Sequence, residues 1–124
     1  MTNRQERYDQ SVIEYDKGKE AFEAGDYQNA LDHLYNSLEL WENCKTHYYI
    51  SKALTAFNRE NEAYVEMQAA HKSNPNHSQI ATAYAEMLND KGEIQKAVDV
   101  LKSVIDHNST YNPAKRLLCK ILDS

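Results

Sequence analysis

The chain has 124 residues, the size of one domain with its own core. It holds 19 acidic and 14 basic residues, a formal charge of -5. That balance argues against a general nucleic-acid binder, which would carry a basic stripe.

Apolar residues recur at helical spacing throughout, and the chain reads as seven helices with no convincing strand. The first runs from about Asn3 to Ala24. One of its stripes, Tyr8, Val12, Tyr15, Lys19 and Phe22, steps by four, three, four and three residues, so these side chains share a face. Gly25 and Asp26 end it, and a second helix covers Tyr27 to about Glu42. The third and fourth cover roughly Thr46–Phe57 and Glu60–Ser73, joined at Asn58-Arg59. Asn74-Pro75-Asn76 then breaks the chain. The fifth and sixth cover roughly Ser78–Asp90 and Glu93–His107, with Gly92 at the turn. The last starts at Asn112 as N-cap, with Pro113 in its first turn. Its apolar face is Ala114, Leu117, Leu118, Ile121 and Leu122, and its other face carries Lys115, Arg116 and Lys120.

The helices repeat in register. Ala30, Ala63 and Ala97 are spaced 33 and 34 residues apart. Leu31, Tyr64 and Val98 follow them, and Leu34, Met67 and Leu101 lie one turn on. Gly18, Ser51 and Ala85 form a matching small-residue series on the preceding helices. Small residues at these places let two helices approach closely, and the larger ones fill the gap to the next pair. The segment Tyr15–Leu31, with Gly18, Ala21, Gly25-Asp26-Tyr27 and Ala30-Leu31, resembles the tetratricopeptide repeat (TPR), a unit of about 34 residues. The resemblance spans about Ser11 to the C-terminus. It implies an all-α, right-handed α-solenoid of three helix–turn–helix repeats, about 11–43, 44–77 and 78–111, closed by a capping helix at about 112–123. The whole chain, 1–124, is then a single domain. The sequence departs from the family where a large aromatic is expected early in helix A, with Glu14, His47 and Ala81 there instead.

In this family the A helices line a concave wall that binds partners. Carried over by position, this gives Tyr8, Val12, Tyr15, Lys19 and Phe22 in repeat 1, Lys45, Tyr48, Lys52 and Thr55 in repeat 2, and Gln79, Thr82 and Glu86 in repeat 3. Tyrosine combines large contact area with a hydroxyl and is enriched at interfaces. The groove is expected to be aromatic and basic first and acidic last, with Tyr49 and Tyr84 in the core. Some family members clamp the C-terminal carboxylates of heat-shock chaperones. The clamp positions here hold Tyr15, Lys19, Tyr49, Gln79 and Ala83, of which one is cationic, so that clamp is not expected.

Signals for chemistry are weak. Cys44 and His47 lie three residues apart, half of a zinc site or a Cys–His pair, but no second such pair is near. The plainer reading is a small junction Cys and a His in place of a packing aromatic. His33, His71, His77 and His107 are scattered and most are expected to be solvated. No cofactor, metal site or enzymatic activity is expected. Residues Met1–Arg7 are polar and lack the apolar core of a signal peptide, and no apolar run is long enough to span a bilayer. Two cysteines in different repeats make no disulfide framework, so a cytoplasmic protein with reduced thiols is the default. Sequons at Asn76 and Asn108 read as chance matches without such a signal. The expected function is a non-enzymatic adaptor, scaffold or chaperone-like module holding a partner peptide, without nucleic acid or membrane. The alternative is a self-assembling scaffold, such as a homodimer, formed through the long first helix or the exposed repeat ends.

Overall fold

The computed structural model describes residues 3–123. They form seven α-helices and no strand: α1 (Arg4–Glu23), α2 (Tyr27–Leu40), α3 (Cys44–Ala56), α4 (Glu60–Ser73), α5 (Ser78–Asp90), α6 (Ile94–His107) and α7 (Asn112–Leu122). This is the all-α helical-repeat fold that the periodicity implies. The helices fall into two compact units, one ending at Ala70 and one beginning at His71. Among the described residues, no helix is long and apolar enough to cross a membrane.

Local chemistry sets the helix ends. The Asn3 side chain accepts the Glu6 backbone N–H at 2.7 Å, so α1 starts one residue later than the apolar pattern implies. The three intra-repeat turns are built alike. Gly25, Asn58 and Gly92 have φ of +82°, +60° and +83°. The next residue's N–H closes back onto the helix, Asp26 to Ala21 O, Arg59 to Leu54 O and Glu93 to Leu88 O, at 2.9, 3.0 and 2.9 Å. This six-to-one bond satisfies a carbonyl that a left-handed C-terminal residue leaves open.

Other boundaries also differ from expectation. The second helix stops at Leu40, because Trp41 is extended. The third starts at Cys44, because Asn43 is its N-cap and accepts the Lys45 N–H at 2.8 Å. The N-cap of α7 is Tyr111 rather than Asn112, and it makes no side-chain cap bond.

In the first unit, Ala30, Leu34, Ile50, Ala53, Leu54 and Ala63 are fully buried. A Cβ on Gly18 would stand 2.7 Å from Leu34 Cγ, so glycine lets α1 and α2 approach at this point. Ser51 fills the same place in the second repeat, donating its hydroxyl to Ala63 O at 2.6 Å. In the second unit Ile80, Ala85, Leu88, Ala97 and Leu101 form the core, and α7 packs on α5 and α6 through Ala114 and Ile121. Leu122, expected on that apolar face, is 63% exposed and lies outside it.

The departures from the family's aromatic position have a structural reading. Glu14 Oε2 is 2.7 Å from His33 Nδ1, bridging α1 and α2. One repeat on, His47 Nδ1 is 2.6 Å from Glu66 Oε2, bridging α3 and α4. The two pairs occupy equivalent positions with acid and base exchanged. The third repeat has Ala81 and Val100 at these places.

Candidate partner-binding face

The stripe on α1 does form one face, but much of it is engaged internally. Tyr15 meets the Tyr49 ring edge-on at 6.0 Å, and Phe22 meets Tyr49 and Tyr27, each at 5.5 Å. Tyr27 continues to Phe57 at 6.4 Å. Tyr49 is therefore the hub of a ring cluster joining α1, α2 and α3. Such edge contacts contribute about 0.5–1.5 kcal/mol each beyond area burial.

Two expectations reverse here. Tyr48, placed on the groove, is 8% exposed and belongs to the core. Tyr49, placed in the core, is half-buried, as is Tyr84. Residues 48 and 49 are about 100° apart on the helix, so a small rotation decides which one points inward. Tyr48 still reaches this face through its edge contact with Tyr49 at 5.2 Å.

Cations sit over these rings. Lys19 Nζ lies 5.9 Å from the Tyr49 centroid, and Lys52 Nζ lies 5.8 Å from that of Tyr48. Each cation is held near an aromatic quadrupole yet remains accessible. Burial, and then Tyr49, push the Tyr15 hydroxyl up to about 12. It stays protonated and can donate a hydrogen bond at neutral pH.

A cleft of about 220 Å³ opens beside this cluster. It brings together Tyr8, Val12, Tyr15 and Lys45, four of the expected residues, with Trp41 and Asn43. Tyr8 and Val12 are exposed at 42% and 38%. Tyr8 stands edge-on to Trp41 at 5.3 Å, and Arg4 covers Trp41 at 5.3 Å. The sequence pattern missed Trp41 because it carries the second helix on to about Glu42, and Asn43 because it starts the third only at about Thr46. The available signal was Asn43 directly before a helical run, an N-cap residue type in the right place.

The remaining expected residues lie apart from the cleft. Thr55 is exposed, with its hydroxyl donated to Ser51 O at 3.0 Å. In the second unit, Gln79 and Glu86 are exposed on α5, and Thr82 donates to Ser78 O at 2.8 Å.

Cys44 is not the partner of His47, whose two ring nitrogens face Glu66 and Glu42. Among the described residues, no cluster of three or more His, Cys, Asp or Glu side chains could hold a metal ion. The other histidines are used rather than merely solvated. His33 bridges to Glu14, and His77 Nδ1 accepts the Ile80 N–H at 3.3 Å at the start of α5. His107 Nδ1 lies 2.8 Å from Ser103 O, and His71 stacks on Tyr84 at 4.9 Å.

The fold is close to several solved domains. The first TPR of Spaghetti (RPAP3), bound to the HSP90 peptide SRMEEVD, is similar with a TM-score of 0.83 at 15% identity, covering 94% of this chain and 95% of that one. The Arabidopsis OM64 TPR domain is similar at 0.82 and 11% identity, covering 94% and 98%. The second TPR domain of human RPAP3, in complex with the HSP70 peptide SGPTIEEVD, is similar at 0.81 and 18% identity, covering 95% and 99%. No curated protein sequence matches the chain. The family model described as the tetratricopeptide repeat protein 21 ARM repeat matches residues 23–122. With that match over most of its length, and with turns and small-residue contacts that recur in register, the chain belongs to the tetratricopeptide repeat family.

Proposed function

We propose that the chain is a non-enzymatic protein-interaction module, an adaptor that seats an extended acidic peptide on the first unit. The observation that carries this reading is the cleft where exposed Tyr8 and Val12 meet Tyr15, Trp41 and Lys45. Aromatic anchors supply contact area, and Lys19, Lys45 and Lys52 steer carboxylates toward it. Two similar domains are bound to peptides that end in EEVD, which supports an acidic peptide as the ligand class.

The test is fluorescence anisotropy on an array of acidic heptapeptides, SRMEEVD among them. Replacing Lys19→Glu and Lys52→Glu together should weaken the best binder by at least about tenfold, equal to about 1.4 kcal/mol. Tyr8→Ala with Val12→Ala should do likewise, and both residues are exposed enough to change without unfolding the helix. Unchanged affinity in both variants would reject this face.

The exposure of Ile13, at 47%, beside Tyr8 and Val12 favours a second reading, two-fold self-association through α1. Sedimentation at several concentrations separates the two, because a monomer at high concentration rules out self-assembly.

A further inference from the structure

His47 is 8% exposed, and both of its ring nitrogens face carboxylates. Nδ1 is 2.6 Å from Glu66 Oε2 on α4, and Nε2 is 3.1 Å from Glu42 Oε1 in the α2–α3 connection. An ionised carboxylate only accepts hydrogen bonds, and a neutral imidazole has one N–H. Only the imidazolium can therefore donate to both. The Glu66 contact is shorter and shielded, whereas the Glu42 side chain is 71% exposed. The proton that leaves to solvent is thus the one on Nε2, which turns a lone pair toward the Glu42 oxygen. Glu42 stands between Trp41 and Asn43, both in the wall of the cleft.

We propose that His47 is a proton-operated latch on the α2–α3 connection, clasping Glu42 when doubly protonated and releasing the Trp41–Asn43 wall of the cleft when neutral.

Other charges around the latch can be named. On the Glu66 side, Tyr35 from α2 shares the field with Glu62 and Arg59. On the Glu42 side, Arg4, Arg7 and Glu39 line the adjoining cleft. Arg4 and Arg7 offer a released Glu42 an alternative cation. The hydrogen bonds that His47 donates to Glu66 and then Glu42 outweigh burial and raise its pKa above the usual 6.5. The latch is therefore fully closed below about pH 6.5 and opens as pH rises through the raised value. The equivalent pair one repeat earlier serves as an internal control. His33 has one carboxylate partner, which a neutral ring protonated on Nδ1 satisfies.

A consequence for peptide affinity rests on the proposed function, but the latch can be read without any peptide. Trp41 is the sole tryptophan of the sequence. Its emission is to be followed between about pH 5 and 9 in the free protein. Wild type should show one transition centred above about 6.5. His47→Gln should abolish it. Glu42→Gln, at an exposed position, should also abolish it, because an amide can accept from or donate to either form of the ring. His33→Gln should keep it. A flat wild-type curve, an unchanged transition in Glu42→Gln, or its loss in His33→Gln would overturn the latch. Since no ligand is present, failure of the peptide-binding reading leaves this result unaffected.

Discussion

At the scale of single residues, one repeat position is occupied in three different ways. Gly18 faces Leu34, Ser51 donates to Ala63 O, and Ala85 is fully buried. Alanine is a better helix former than glycine by about 1 kcal/mol, so propensity alone would favour Gly18→Ala. The new Cβ would meet Leu34 at 2.7 and 2.9 Å and the Ala30 carbonyl oxygen at 3.2 Å. Leu34 is fully buried and branched, and overpacking of this kind costs about 1–3 kcal/mol. We expect Gly18→Ala to destabilise the protein by up to about 2 kcal/mol in urea unfolding, and a stabilised variant would contradict the packing account. The second and third repeats carry a side chain at this position, with Met67 and Leu101 in register with Leu34. Such adjustments explain how far the site was legible. The α1 stripe followed from spacing, and three of its residues, Tyr8, Val12 and Tyr15, line one cleft. The exchange of Tyr48 and Tyr49 did not follow, since adjacent positions at the edge of an apolar face have no periodicity to separate them. The His47 bridge was hidden for another reason. Its partners Glu42 and Glu66 come from a connection and another helix, and sequence spacing reports only neighbours on the same helix.

At the scale of elements, the turns were the most legible feature. Gly25, Asn58 and Gly92 recur in register and adopt the same left-handed conformation. The helix starts were less legible, because side-chain geometry decides them. Asp26 and Glu93 hold equivalent N-cap positions at α2 and α6. Asp26 Oδ1 accepts the Asn29 N–H at 3.4 Å, whereas Glu93 makes no cap bond. The extra methylene carries its carboxylate outward, where it pairs with Lys96 at 3.4 Å. That pair is exposed and worth little in stability. Glu93→Asp should therefore supply the missing cap and raise stability by about 0.5–1 kcal/mol, seen as a higher thermal midpoint. A lower midpoint would show that the Lys96 pair or the α6 geometry matters more than the cap.

At the scale of the whole molecule, the formal charge of -5 says little about pH response, because buried His47 and half-buried His71, in different units, are perturbed in opposite directions. In the first unit, Glu66 and then Glu42 raise the pKa of His47. Its stabilisation is complete below about pH 6.5 and is lost as pH rises through the folded value. In the second unit, burial lowers the pKa of His71, whose Nδ1 has no hydrogen-bond partner among the described residues and whose ring stacks on Tyr84. The unfolded chain then binds a proton more readily than the native state. Stability is lost as pH falls below about 6.5 toward the lowered value. Acid should therefore tighten the unit ending at Ala70 and loosen the one beginning at His71. Native-state hydrogen exchange, corrected for the intrinsic rate at about pH 5.5 and about pH 8, reads each unit separately. Opening free energies for α3 amides should fall from the lower to the higher pH, and those for α5 should rise. His71→Phe keeps a ring against Tyr84 and removes the titrating nitrogen, so it should abolish the change in α5 and leave that in α3. Movement of both units in one direction, or an unchanged α5 response in His71→Phe, would show that these two imidazoles do not set the pH response of the fold.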